Sequence, residues 1–503
     1  MSFFRMLFGK ALLLLVVLTF STCHAKDKSL FMGLIIKDND ASVTTFLKKI
    51  EELDYEKSAI RLKISVINDN PEVIKIVKEW CAGQEEKYDS VNFEISKSNP
   101  ATVKNSFLYE NPESEWIFIT SSDVFLRPFT LRTLISKNLP IVAPLLRPLP
   151  LQYTSFRNFF LSATETGYYK ENSEYADVVD RKKTGTFRAD CVYGAYAIRT
   201  NYAYKLNFED GSTWDFIAFS NTARKNGVPQ FICNEKEFGH FIHIDGSQKE
   251  LSFPWIDRQI TSTYIQELSK SFDDPQLQKY QESLPVDVYS LYPVQNDFYW
   301  IDEKWDWIKS HYLKKGLVWE PHIKKLFEKY VKAGDTAIDM GGHIGTHAIV
   351  LSRCVGPHGK VHTFEPQTKL FVEMLVNISL NNCKNIFPHR VALGAMEGEA
   401  CIAQPCSTNE GMGRISSYGE KVTVKTLDSF NFSNVSLMKI DIEGYEIEAL
   451  NGAKETIQQN KPVLIIEVFD GPQTSEKLDF IRNLGYEISP LGGEDYLCLP
   501  TSI

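Results

Sequence analysis

The run from Ala333 to Gly356, AGDTAIDMGGHIGTHAIVLSRCVG, limits the fold more tightly than any other stretch of this chain. Thr336 to Met340 has the length and apolar content of a short buried strand. Gly341-Gly-His-Ile-Gly345 reads as a turn and Thr346 to Cys354 as a helix. Glycine accepts positive φ and lets a ligand come close to the backbone. The first turn of the helix presents free N–H groups and a partial positive charge. Such a unit opens a doubly wound α/β sheet, in which ligands lie beyond the carboxyl ends of parallel strands. The turn alone does not choose the ligand, because dinucleotide-binding sheets begin the same way.

The following strands narrow the choice. Lys360 to Phe364 predicts a second strand ending in Glu365-Pro366, about twenty residues past the turn, where an acid accepts hydrogen bonds from ribose hydroxyls. The glycine pattern is D-x-G-G-x-x-G, with Asp339 on the strand, and not G-x-G-x-x-G. This favours S-adenosylmethionine, which has no pyrophosphate to cradle but has a ribose and an amino group to hold. Asn385 to Leu393 gives a third unit, and Leu437 to Ile442 a fourth strand around Asp441-Ile-Glu443-Gly444. Pro462 to Val468 predicts a fifth strand, carrying Glu467, while Glu446 and Glu448 read as a solvated helix face.

These landmarks resemble the FkbM family of S-adenosylmethionine-dependent methyltransferases. WEPHIKKLFEKYVKAGDTAIDMGGHIGTHAIVLS, GKVHTFEPQ, VALG, VKTLDSF and KIDIEGYEIEALNGA follow in the family's order. The resemblance implies that Asp339, Gly341, Gly342 and Gly345 shape the methionine side of the cofactor site, and that Glu365 and Pro366 lie at the ribose. It places Asp441 and Glu443 at the methyl end, where they are the first candidates for a catalytic base. Gly342-His343 stands where most relatives have alanine-asparagine; His343 keeps a hydrogen-bond donor there and is a further catalytic candidate. Methyl transfer to a hydroxyl needs the acceptor aligned with the methyl group and a nearby group to take its proton.

The first half has its own pattern. Leu30 to Ile36 predicts a buried strand, and Val43, Phe46, Leu47 and Ile50 mark one face of a helix after it. Leu62 to Ile67 and Pro71 to Cys81 repeat strand and helix, which argues a parallel α/β sheet. The stretch ITSSDVFLRP, Ile119 to Pro128, follows an apolar strand and ends its polar turn on Asp123. IEELDYEKSAIRLKISVINDN, SSDVFLRPFTLRTLISKNLPIVAPLL, TETGYYKENSEYADVVDRKKTGTF and NGVPQFICNEKEFGH are similar to procollagen galactosyltransferases and to the glycosyltransferase region of procollagen lysyl hydroxylases. The resemblance implies a GT-A-like nucleotide-sugar fold. It also implies a Mn²⁺ or Mg²⁺ site at Asp123 that lacks one carboxylate, because Ser121 stands where the family has the first acid of Asp-x-Asp. A hydroxyl is a weaker ligand than a carboxylate for such hard cations.

At 503 residues the chain is long enough for two or three domains. The expected layout is a secretory signal over 1–25, a GT-A-like domain over 30–265, a connector over 266–310 and a Rossmann-like class I methyltransferase domain over 311–503. Arg5, Lys10 and the apolar run Ala11 to Phe20 carry the signal reading, and that run is too short for a stable membrane span. The secretory lumen or the cell exterior is the expected location. A net charge of −9 argues against nucleic acid as a partner. Nine cysteines, Cys23 being inside the leader, form no zinc pattern; Cys401 and Cys406 are close enough to bridge. Of three sequons, Asn377, Asn431 and Asn434, the first falls in a helix-like run. The leading expectation is O-methylation of a sugar or glycoprotein hydroxyl, with the first domain recognising the acceptor. The alternatives are a bifunctional enzyme that also takes a nucleotide sugar, and a secreted glycan-binding protein without catalysis.

Overall fold

The computed structural model describes residues 28–37, 40–67, 69–110, 113–149, 157–242, 253–268, 274–304, 306–403, 409–469, 471 and 474–501. The signal-like residues 1–25, Trp305 and Cys406 lie outside this set. The seven described cysteines are free thiols. No helix among the described residues is long and apolar enough to cross a membrane.

Two α/β sheets dominate. The first has eight strands: β1 (Leu30–Ile36), β2 (Ile60–Val66), β3 (Ser90–Ile95), β4 (Trp116–Ser121), β5 (Ile141–Pro144), β6 (Thr186–Ala189), β7 (Ala195–Arg199) and β8 (Gln230–Cys233). Their order is β6-β8-β5-β7-β4-β1-β2-β3. β4, β1, β2 and β3 are parallel, whereas β7 runs against both β4 and β5. Every residue of β1 and β4 is buried, as continuous apolar runs in a covered parallel sheet require. Helices α1 (Asp40–Glu51), α2 (Pro71–Ala82) and α3 (Pro100–Tyr109) make the crossovers. The expected α1 face is the one buried, with Val43, Phe46, Leu47 and Ile50 at most 1% exposed. α2 starts at Pro71 because Asn70 caps it, its side chain accepting from the Glu72 and Val73 amides. A further helix, α4 (Asp215–Lys225), flanks the carboxyl-end cleft of this sheet.

The connector between the halves is folded where it is described. α5 (Phe253–Leu268) is followed by a short helix, Pro275–Glu282, a hairpin of β9 (Tyr289–Val294) and β10 (Asp297–Asp302), and α6 (Trp307–His311). The hairpin strands have six residues each, and aromatic packing between them holds the pair together. Tyr289 stacks on Trp300 with ring centroids 3.6 Å apart.

The second sheet comprises β11 (Thr336–Met340), β12 (Lys360–Phe364), β13 (Ile386–His389), β14 (Val435–Ile440), β15 (Val463–Glu467), β16 (Tyr486–Gly492) and β17 (Asp495–Pro500). The order is β13-β12-β11-β14-β15-β17-β16, with the first five strands parallel and β17 antiparallel to both neighbours. α7 (Thr346–Val355) and α8 (Thr368–Leu380) complete the first two crossovers. A four-stranded sheet drawn from 392–425 covers the carboxyl-end side. Sheet order and connection place the polar turns after β11, β12, β14 and β15 at one edge, where a doubly wound sheet binds its ligand.

The halves share a core. Arg127, 1% exposed, sends Nη1 to the Ser379 carbonyl at 3.3 Å and stands over the Tyr264 ring at 4.3 Å. Asn377 is wholly buried: its Oδ1 accepts from the Trp300 amide at 2.7 Å and its Nδ2 donates to the Ile344 carbonyl at 2.9 Å. That sequon has a structural task and no room for a glycan.

Candidate functional site

Strand register builds the site in the second half. Phe364, Met340, Ile440 and Ile466 are aligned neighbours across β12, β11, β14 and β15. The next residue on each strand is therefore Glu365, Gly341, Asp441 and Glu467, three carboxylates around one glycine. Gly341 has φ 92°, and a Cβ there would stand 1.8 Å from the Asp441 carbonyl oxygen. Only glycine fits at the centre of the row. Glu443, two residues beyond Asp441, joins the cluster from a left-handed position with φ 57°. One oxygen from each of Asp441, Glu443 and Glu467 lies within 4.8 Å of the others. β14 ends at Ile440 and not at Ile442, so Asp441 and Glu443 belong to the turn, where their side chains are not fixed by sheet alternation.

These acids differ in charge state. Burial pushes Glu365 up to about 8, against the lowering effect of the Gln367 and His343 amides. Those amides donate to its Oε1 and Oε2 at 2.9 Å each. Burial and the neighbouring Asp441 raise Glu443 to about 7. The same two causes raise Glu467 to about 9, so it carries the proton of its hydrogen bond with Asp441 at neutral pH. Asp441 goes the other way: burial would raise it, but the Lys439 ammonium 3.0 Å from its Oδ2, with the Glu467 hydrogen bond, holds it below the usual range. Glu443 Oε2 has no hydrogen-bond partner among the described residues. Arg414 Nη2 reaches only to 3.7 Å from it. Glu443 is thus the acid with a free lone pair and a titration point near neutrality, the properties of a general base.

The remaining sequence candidates take other places. Asp339 is fully buried beneath the turn; its Oδ2 accepts from Thr363 Oγ1 at 2.9 Å and its Oδ1 has no partner among the described residues. Gly341, Glu365 and Pro366 line the cleft together with Asp441 and Glu443. Gly342 and Gly345 shape the turn behind it, the Gly345 amide donating to the Gly342 carbonyl at 2.8 Å. His343 is not among the residues lining the cleft with Asp441 and Glu443, although its amide donates to Glu365. Its ring lies against Gly411 and feels the charge of Lys309, and burial first, then Lys309, hold it below its ordinary value. The expectation of a solvated Glu446 is wrong: the residue is fully buried, and its Oε1 accepts from the Gly444 amide at 2.7 Å. It closes the turn that carries Glu443.

The cleft bounded by these residues measures about 60 Å³, small beside the ~300–1,000 Å³ of ligand pockets. Gly411, Gly413 and Ile415 crowd its front. The adjoining Glu410 is anchored by Lys309 Nζ at 2.7 Å, and the Glu410 amide donates to Asp306 at 2.9 Å. Lys309 is itself fully buried among Asp302, Glu373 and Glu410, with Lys369 closing the same group. Three converging carboxylates are matched there by two ammonium groups, so α6, β10 and α8 are tied to the segment in front of the cleft.

In the first half, the Ile35–Ser121 pairing of β1 with β4 places Lys37 beside Asp123, each two residues further on. Lys37 Nζ stands 2.8 Å from Asp123 Oδ2, and the Ser121 hydroxyl donates to Oδ1. Burial would raise Asp123, yet the Lys37 charge with these hydrogen bonds holds it below its usual value. Asp215, the other acid near this turn, is paired with Lys104 at 2.7 Å. The expected metal position at Asp123 is therefore held by an ammonium group.

Residues 339–488 match the methyltransferase FkbM domain, and residues 110–252 match the glycosyltransferase family 25 N-terminal domain. The chain resembles two families, one in each half. Among curated relatives, a glycosyltransferase 25 family member of Drosophila melanogaster is 24% identical over 260 residues, covering 44% of this chain and 42% of its own length. The human inactive glycosyltransferase 25 family member 3 is 24% identical over 239 residues, covering 42% of this chain and 40% of its own. Procollagen galactosyltransferase 1-A of Xenopus laevis is 24% identical over 249 residues, covering 43% and 39%. The chain spans about two fifths of the length of these relatives. The first sheet is accordingly GT-A-like and the second Rossmann-like.

Sequence reasoning assigned no role to Lys37, Lys439 or Glu467. Glu467 was detectable by the strand-tip rule that picked out Glu365. Lys37 and Lys439 needed the register of neighbouring strands.

Proposed function

We propose that this protein is an S-adenosylmethionine-dependent methyltransferase that O-methylates a hydroxyl of a sugar or glycoprotein, with the first half recognising the acceptor. The observation that carries this reading is the row Glu365, Gly341, Asp441, Glu467, with Glu443 beside it, inside a segment that matches the methyltransferase FkbM domain. S-adenosylmethionine, when bound, supplies the electrophilic methyl group and a positively charged sulfonium and amine. The residues fit that chemistry: Glu365 offers acceptor lone pairs to ribose hydroxyls, the unpartnered Glu443 Oε2 and the Asp441 carboxylate face the cleft, and Gly341 keeps its floor low. Glu443 takes the acceptor's proton as the new bond forms. Asp441, held ionised by Lys439, orients Glu467 and keeps Glu443 basic. At about 60 Å³ the cleft would have to widen to admit the cofactor.

A metal-dependent hexosyl transfer by the first half is less well supported, because both oxygens of Asp123 are already engaged by Lys37 and Ser121. The proposal puts the reaction in the secretory lumen or outside the cell, a reading that the signal-like sequence over 1–25 supports. Calorimetry of the full chain with S-adenosylhomocysteine tests the assignment. Glu365→Ala, folded as judged by circular dichroism, is expected to lose about 0.5–1.5 kcal/mol of binding per ribose hydrogen bond at neutral pH, the range for a neutral group, because the buried carboxyl keeps its proton up to about 8. Unchanged affinity in that variant sinks the role of Glu365, and no binding by the parent sinks the cofactor.

A further inference from the structure

A second cleft, of about 1230 Å³, opens at the carboxyl ends of β1 and β4 beside α4. Its charged lining among the described residues is Lys37, Lys104, Asp123, Glu209 and Asp215. The two lysines are spent on two of the acids, at 2.8 Å for Lys37–Asp123 and 2.7 Å for Lys104–Asp215. Glu209 accepts from Thr102 Oγ1 at 2.7 Å and from Asn105 Nδ2 at 3.3 Å. Two cations against three anions leave a formal charge of −1. A diphosphate entering this cleft would have to leave water without a cation surplus to meet it, which is strongly unfavourable. A divalent ion would first have to displace the Lys37 ammonium from Asp123.

What the cleft does expose is aromatic. Trp214 is 55% exposed at its wall and Tyr168 is 48% exposed. Trp214 stacks along Phe216 at 6.3 Å, and Phe216 packs on Tyr193 at 4.6 Å, so the wall is propped from behind. An electron-rich ring face attracts the weakly positive C–H face of a pyranose and sheds water in doing so. Asn99, Ser212 and Thr213 border the same space and supply uncharged donors and acceptors for hydroxyls. Large apolar side chains left in the open beside polar groups mark a binding surface.

We infer that this cleft binds a neutral oligosaccharide, seated on Trp214 and Tyr168, and takes neither a divalent metal nor a nucleotide sugar. The inference rests on the proposed carbohydrate acceptor and makes its class specific: uncharged sugar rings, held away from the methyl-transfer cleft by a domain built for sugar nucleotides.

The test is saturation-transfer NMR on the full chain. The probes are lactose, N,N′-diacetylchitobiose, mannotriose and cellotriose on one side, and UDP-galactose with Mn²⁺ or with EDTA on the other. At least one neutral sugar is expected to bind equally with Mn²⁺ and with EDTA. Trp214→Ala is expected to weaken it by about tenfold or more, as for an aromatic anchor. Tyr168→Ala, also exposed and benign for folding, is expected to weaken it by a smaller factor. Mn²⁺-dependent binding of UDP-galactose overturns the inference. So does failure of all four neutral probes, or equal affinity in the parent and both variants. S-adenosylhomocysteine binding is measured on the same samples. If it persists while sugars fail, this inference alone falls; if sugars bind while it fails, the methyltransferase reading falls and this one stands.

Discussion

The two clefts of this chain use similar acids to opposite ends. In the first half, Asp123 and Asp215 each face a lysine at salt-bridge distance, and the cleft around them is wide. In the second half, no ammonium group pairs with Glu365, Glu443 or Glu467 among the described residues, Arg414 approaches Glu443 only to 3.7 Å, and all three acids are raised to between about 7 and 9. Only Asp441 has a lysine of its own among the described residues of this cluster, Lys439. A carboxylate with a lysine beside it is satisfied and has little left for a ligand. A buried carboxylate without one is held in an unfavourable state that a proton or a cationic ligand relieves. The difference is the one that the proposed methyl transfer by the second half requires.

The largest test of that contrast is Glu443→Gln. If Glu443 is the base, methyl transfer falls by about 100-fold or more, the usual scale for a general base, while S-adenosylhomocysteine affinity changes little. The parent rate should rise with pH through about 7, because the carboxylate and not the acid accepts the proton. A flat profile from pH 5.5 to 8.5 would exclude this role.

The next test tries to convert one cleft into the other kind. Ser121→Asp alone should not create Mn²⁺ binding, since Lys37 still holds Asp123. Adding Lys37→Ala removes the resident cation, and the doubly substituted chain should gain at least about tenfold in Mn²⁺ affinity by calorimetry, as expected for two hard carboxylates in place of one neutralised one. Strong Mn²⁺ binding by Ser121→Asp by itself would mean that the Lys37 pair is weak. A smaller effect is expected from Asp441→Asn. Losing its negative charge lets Glu443 ionise more readily, so the midpoint of the rate profile should move to lower pH; an unmoved midpoint would uncouple the two acids.

Much of this was legible in the sequence. β1, β11 and β12 begin and end where apolar runs meet polar turns. A fully buried strand and a glycine turn leave few alternatives. Glu365 followed from position alone, being the first polar residue after its strand. The hairpin β9–β10 was not legible, because its stability comes from Tyr289 stacking on Trp300 and from Asn377 on a distant helix. The partners of Asp123 and Asp441 were hidden for a related reason. Lys37 lies 86 residues from Asp123 in sequence and meets it only through parallel register. Lys439 is visible two residues from Asp441, yet nothing local says that its ammonium turns inward. Glu446 misled because a helix rich in acids resembles a solvated one, until its first turn is needed to close a loop.

The subtlest consequence of the unpaired acids is on stability. Glu365 is 4% exposed, and its carboxyl sits near 8 in the folded protein against 4.5 as its ordinary value. The folded state therefore holds a proton that the unfolded chain has released between those values. Its contribution is most favourable below about 4.5 and is lost as pH rises to about 8, with a slope of at most about 1.4 kcal/mol per pH unit. Glu365→Gln is neutral throughout, so it escapes this loss. It also gives up one of the two backbone hydrogen bonds, because the amide offers one oxygen to the His343 and Gln367 N–H groups, at a cost of about 1 kcal/mol at every pH. The two melting curves should then cross near about pH 5: the parent is the more stable at about pH 4, and the variant exceeds it at pH 8.5. Thermal unfolding across that range without cofactor reads the difference directly. A gap that stays constant with pH would show that Glu365 is ionised throughout and that some unrecognised cation serves it, removing the contrast between the two clefts at its clearest residue.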